Sequence, residues 1–379
     1  MTTAERALTF RGDLDVPAGL PRGIDLGRID NKEKAIAMYG RDTVERLADH
    51  ALLADDYAYQ AMLDFKDKSN NASWRTFDRA LEHGIDAIDD PTPGLAALFA
   101  QLDRVPEWVD FDQLYRGAVA FWRAGPVVPP VLAWGAIGGG FSMYSSTRPV
   151  LFSGRLRHTD HVGTRLIESF RYVVAAYTPG GMRRFEEGFR LTAKVRMIHA
   201  AVRHSLSHSN HWDWADWGIP INNLDSMVTQ AGQFGVKFTD AVQSFGIRFS
   251  DRELEDIFAL SRYVGYVIGV PEEILHTDYA DARRKTDIRT CRSVSSSSSG
   301  LPDFFAARPA LISCRAISGS EAANSAIPSV CPAISRTVHP GQLVGACHSG
   351  SLRSARARAK RVYSSAANVM AVSRSSRLS

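Results

Sequence analysis

Apolar positions along this chain recur at three- and four-residue intervals. In RDTVERLADHALLADDYAYQAMLDF, Val44, Leu47, Leu52 and Leu53 fall near helical spacing. DDPTPGLAALFAQL predicts a turn and then a helix from near Pro93. VPEWVDFDQLYRGAVAFWRAG predicts a helix entered through Pro106 and left at Gly125-Pro126. A further helix is predicted from His161 to Tyr177, with an apolar stripe of Val162, Leu166, Phe170, Val173 and Tyr177. Ser250 and Glu253 form a capping box before RELEDIFALSRYVGYVIG, which stops at Gly269; Pro271 is read as opening PEEILHTDYADARR. WGIPINNLD reads as a loop entering a helix near Asp225, its asparagines satisfying backbone. No sustained period-two alternation interrupts this, so the expected fold is an all-α bundle over residues 31–285, behind a polar arm over 1–30.

Composition changes the picture past residue 285. The last 89 residues hold ten arginines and one lysine against two acids, a net of +9, so the first 290 residues carry −5. The formal +4 of the whole chain is therefore no evidence for nucleic-acid binding by its body. All four cysteines (Cys291, Cys314, Cys331, Cys347) and 21 serines lie in that same stretch, while all seven tryptophans precede it. Residues 286–379 read as an irregular Ser/Arg-rich tail, or as an out-of-frame C-terminus, since the change interrupts a helical pattern midway. There is no disulfide framework to read. The opening residues show no secretory leader and no run is long enough to span a membrane, so a cytoplasmic protein is expected.

The stretch KVRMIHAAVRHSLSHSNHWD carries four histidines. On a helix advancing about 100° per residue from Val195, the residues Leu191, Ile198, Val202 and Leu206 fall within about 60° of it and form the expected buried stripe. His199 lies at the edge of that stripe, about 40° from Val195. His204, His208 and His211 fall on the opposite face; their H-x3-H-x2-H spacing resembles a metal site, but no glutamate stands where a zincin needs one. A solvated face is the expectation for these three. For His199 a satisfied core histidine and a haem ligand stay open, the second suited by Val195, Ile198 and Val202 as packing surface. Arg196 and Arg203 are placed to pair with haem propionates or with acidic neighbours. On the preceding helix Arg165, Ser169 and Tyr172 share one flank and are suited to binding an oxygen ligand, or form a surface row with Glu168. GAIGGGF lacks a preceding strand and a following GK[ST], so it is no phosphate loop.

Five pieces in order, RVPEWVDFDQLYRGAVAFWRAGP, FSGRL…TRLIES, KVRMIHAAVR, WDWADWGIPINNLD and YVGYVIGVPEEIL, resemble the latex clearing protein or rubber oxygenase family. Its wider group includes a membrane-bound oxygenase of fungal mycophenolic acid synthesis. The resemblance implies a globin-like helical core, one b-type haem, and cleavage of polyisoprene double bonds with dioxygen. It implies His199 as the haem-iron ligand. It matches Arg165-Leu-Ile-Glu168-Ser169 to the family's distal R-x-x-K-T, with glutamate in place of lysine and serine in place of threonine. The expected activity is a haem oxygenase acting with O2 on a small apolar, isoprenoid or lipid-like alkene. Arg165 and Ser169 would orient dioxygen and Glu168 would serve as a base or as a salt-bridge partner. The rival expectations are a non-catalytic haem or lipid binder, a helical protein without haem, and an inactive truncated relative.

Overall fold

The computed structural model describes residues 17, 19–65, 70–133, 148–149, 159–210 and 212–290, with 70–71 and 159–166 as backbone alone. The chain divides into two units at Pro302–Asp303, and every described residue belongs to the first. The tail that the sequence sets apart, beyond Thr290, lies outside the described residues, as does GAIGGGF.

The described residues contain helices and no strand. In chain order the described α-helices of five residues or more are α1 (Lys32–Tyr39), α2 (Arg41–Asp49), α3 (Asp56–Asp64), α4 (Asn70–His83), α5 (Pro93–Asp103), α6 (Phe111–Arg123), α7 (Thr159–Ala176), α8 (Glu187–Ser207), α9 (Asn223–Met227), α10 (Phe238–Ser244), α11 (Asp251–Val267) and α12 (Tyr279–Thr290). A π-helical segment, Val228–Lys237, joins α9 to α10. The boundaries follow local chemistry. Thr92 precedes Pro93 at the first position of α5. Asn222 caps α9 by accepting from the Asp225 N–H. Ser250 and Glu253 complete the capping box of α11. The Pro271 expectation is corrected: residues 271–278 form turns, and α12 starts at Tyr279, where Asp278 accepts from the Asp281 N–H.

Large side chains from distant elements meet in the core. Phe121 of α6 stacks on Phe238 of α10 at 4.0 Å between ring centroids, both wholly buried. Gly117 lets α6 lie directly on the backbone of α11, because a side chain there would strike the Asp256 carbonyl. The segment before α1 also packs inward. Ile24, Leu26 and Ile29 are buried, Arg28 reaches Asp225 at 3.0 Å, and Asp30 pairs with Arg289 at 2.7 Å.

Candidate functional site

Helices α7 and α8 form an antiparallel hairpin, and its register places the predicted residues. Gly188 lets the start of α8 approach α7 closely, since a side chain there would strike the Ala175 carbonyl. One turn further, the Tyr172 hydroxyl interacts with the Thr192 hydroxyl. Seven residues are close to two full helical turns, so each step of seven returns to the same face. From Tyr172 such a step back along α7 reaches position 165; from Thr192 such a step forward along α8 reaches His199. The side chain of Arg165 lies outside the described residues; Glu168 and Ser169 are exposed on α7.

The buried face of α8 is not the one periodicity selects. Phe189, Ala193, Arg196, Met197, Ala200 and Arg203 are buried, whereas Val195 and Val202 are half-buried and Ile198 is 37% exposed. The helix is rotated so that two arginines enter the core. Arg196 makes a bidentate pair with Asp55, Nε to Oδ2 at 2.6 Å and Nη2 to Oδ1 at 2.8 Å, and donates to Gln101 at 2.5 Å and to the Val267 carbonyl. Arg203 donates to the carbonyls of Asp55, Pro220 and Ile221. Fixed charge of this kind is tolerated inside a protein when every donor finds an acceptor. Of the two partners the sequence allows for these arginines, the described contacts are with the acid and loop carbonyls, on the inner side of α8.

His199 is half-buried and lies between Val195, Ile198 and Val202 on the outer side. Ile167 of α7 is 71% exposed, so apolar side chains of both helices remain uncovered by the described residues. An apolar surface broken by a single imidazole suits a flat apolar cofactor held by one axial ligand.

Among the described residues no group of three potential metal ligands converges. His204 Nδ1 lies 3.2 Å from the Tyr59 hydroxyl, and its ring packs on His208. His208 Nδ1 bonds the His204 carbonyl, closing the helix end. His211 lies outside the described residues. A cleft of about 200 Å³ opens near the hairpin end, but its charges are matched: Lys194 with Asp78, Arg190 with Glu82, and Arg171 with Glu187.

Periodicity gives no sign of the polar group at the hairpin's closed end. Gln230, on the π-helical segment, donates through Nε2 to the Tyr172 hydroxyl at 3.5 Å. Burial raises the ionisation of Tyr172 far above its usual range, so the phenol stays neutral.

No described helix is long and apolar enough to cross a membrane. The family described as ER-bound oxygenase mpaB/B'/Rubber oxygenase, catalytic domain, matches residues 122–310. A rubber oxygenase of Streptomyces sp. (strain K30) is 27% identical over 227 residues, covering 56% of this chain and 51% of the relative, so the chain spans about half the length of that relative. The solved structure of latex clearing protein in the closed state superposes with a TM-score of 0.53 at 21% identity, over 64% of this chain and 65% of that one. These matches agree with the all-helical architecture, and the family match over residues 122–310 and the relative support the latex clearing protein and rubber oxygenase family for this chain.

Proposed function

We propose that this protein is a haem-dependent oxygenase that uses O2 on a small apolar alkene of isoprenoid or lipid type. The observation that carries this reading is the outer side of α8, where His199 stands among half-open apolar side chains. The family match supports an oxygenase, and that apolar side fits a haem held through His199. When bound there, the haem supplies the iron that activates dioxygen.

The chain's own residues do the rest. Val195, Ile198 and Val202 offer packing surface and exclude water from the ring. The Arg196–Asp55 pair and the Arg203 contacts fix the rotation of α8, which sets the direction of the imidazole. Across the hairpin, Arg165 and Ser169 orient the oxygen species by charge and hydrogen bonding. Glu168, an acid where relatives with R-x-x-K-T carry a base, removes an allylic proton or anchors Arg165.

The test is an absorption spectrum of protein purified with haem supplied. The wild type is expected to show a Soret band, and His199→Ala to lose most of it. A full Soret band in His199→Ala would refute the ligand assignment. A Soret band without oxygen uptake on any isoprenoid alkene would instead leave a haem binder without catalysis.

A further inference from the structure

The cleft between α4, α7 and α8 balances its charges in number but not in hold. Lys194 Nζ lies 2.7 Å from Asp78 and Arg171 donates to Glu187 at 2.6 Å, whereas Arg190 stands 3.5 Å from Glu82. The Arg190 Nε–H is shut off from solvent and has no acceptor among the described residues. The Glu82 carboxylate, by contrast, is half-exposed, so water can serve it. A space of about 200 Å³ is therefore lined by a cation that is short of an acceptor.

The chemistry of the missing partner follows. A carboxylate meets the edge of a guanidinium with two parallel bonds, taking Nε and one Nη together. The outer edge of Arg190 is within reach, since 37% of its side chain is open to solvent. A single negative charge suits the cleft. Arg171, Arg190 and Lys194 already face Asp78, Glu82 and Glu187, so a phosphate with two charges would be opposed by three fixed acids. A cation would gain Glu82 but leave the Arg190 Nε as it is.

The floor of the cleft is apolar and continues beyond it. Leu81 and Leu191 line the cleft. Val195, Ile198 and Val202 follow Leu191 by four, seven and eleven residues, so all four share one side of α8. The half-open apolar stripe thus begins in the cleft. A ligand with its charged end on Arg190 would lay its chain along that stripe.

We propose that Arg190 anchors a carboxylate subsite in this cleft, and that the molecule lying along the outer side of α8 is an apolar acid, such as an isoprenoid carboxylic acid. Glu82 is the internal carboxylate that it displaces. This rests on the reading that an apolar ligand lies along that side.

The full chain, purified without haem, is titrated by calorimetry near neutral pH with geranic acid, with geraniol and with acetate. Geranic acid is expected to bind about tenfold tighter than geraniol, the gain of a charge-assisted pair less the loss of the exposed Glu82 one. Arg190→Gln should bring the two within about twofold of each other. Glu82→Gln, which removes the competitor, should tighten the acid by about threefold and leave geraniol unchanged, a gain that a damaged fold would not give. Equal affinity of acid and alcohol for the wild type would overturn the proposal, as would a preference for the acid that survives in Arg190→Gln. Acetate binding as tightly as geranic acid would overturn it too, because the cleft would then hold a small anion without the stripe. Binding of neither geranic acid nor geraniol would refute the apolar-ligand reading itself, independently of whether the protein takes up haem.

Discussion

On the inner side of α8, Arg196 and Arg203 lie in the core; on its outer side, Val195, Ile198 and Val202 stay half-open to solvent. Burial by residue type would put them the other way round. The inner side is stable because Asp55 accepts two hydrogen bonds along one edge of the Arg196 guanidinium and main-chain carbonyls take the donors of Arg203. The described residues leave the apolar side chains of the outer side half-open, and an apolar surface of that kind on a well-anchored helix is suited to packing against something else. A helix that is pinned by charge on one side is free to offer a sticky surface on the other.

The largest effect expected comes from breaking the pin. Asp55→Ala leaves the Arg196 guanidinium buried without its anion, and the stability of the folded chain should fall by about 3–5 kcal/mol, read by urea unfolding. A loss under 1 kcal/mol would mean that the inner side tolerates unpaired charge.

Acid should act on buried imidazoles that burial keeps neutral in the fold. Burial, helped by the nearby Lys285 charge, pushes His50 down to about 4 and His276 likewise to about 4. Arg262 and Asp281 also act on His276, and the carboxylate of the half-exposed Glu273 stands 3.6 Å from His50. Both imidazoles are neutral in the fold and would take a proton near pH 6.5 when unfolded. Stability is therefore complete above about pH 6.5 and falls as pH drops towards 4, by up to about 3 kcal/mol for each histidine. Urea midpoints between pH 7 and pH 4 measure this, and His276→Asn should flatten the profile.

Adjacent residues of α8 give the sharpest contrast. Met197 is wholly buried and Ile198 is not. Met197→Ala should cost about 2–3 kcal/mol, whereas Ile198→Ala should cost under about 1 kcal/mol in the haem-free chain. If the outer side holds haem, Ile198→Ala will weaken haem retention more than it weakens the fold. Comparable losses of stability from both changes would erase the distinction between the two sides. The smallest effect belongs to His204→Leu, which removes the bond to Tyr59 and should cost about 1 kcal/mol without changing zinc affinity.

Much of the fold is readable in the chain because its determinants are local. The capping box at Ser250, the Thr92-Pro93 start of α5 and the Asn222 cap each use partners within four residues. The rotation of α8 is not local. Its anchor, Asp55, lies 141 residues away, so a rule that sends arginine outward selects the wrong side. Gln230 is hidden for a related reason. A π-helical turn shifts the residues after it out of the 3.6 rhythm, and periodicity then says nothing of which side they take. His199 was visible through family resemblance and through its apolar neighbours, but spacing alone could not tell a ligand from a core histidine.

The ion pair between Asp30 and Arg289 joins the segment before the first helix to the end of the last described one, 259 positions apart. The Asp30 N–H also donates to the Arg289 carbonyl, so the join includes backbone. During synthesis the early segment must wait, with Ile24, Leu26 and Ile29 unsheltered by this contact, until α12 has left the ribosome. A nascent chain stalled before Arg289 would thus keep its leading edge undocked, and is a natural client for a chaperone that binds short apolar stretches.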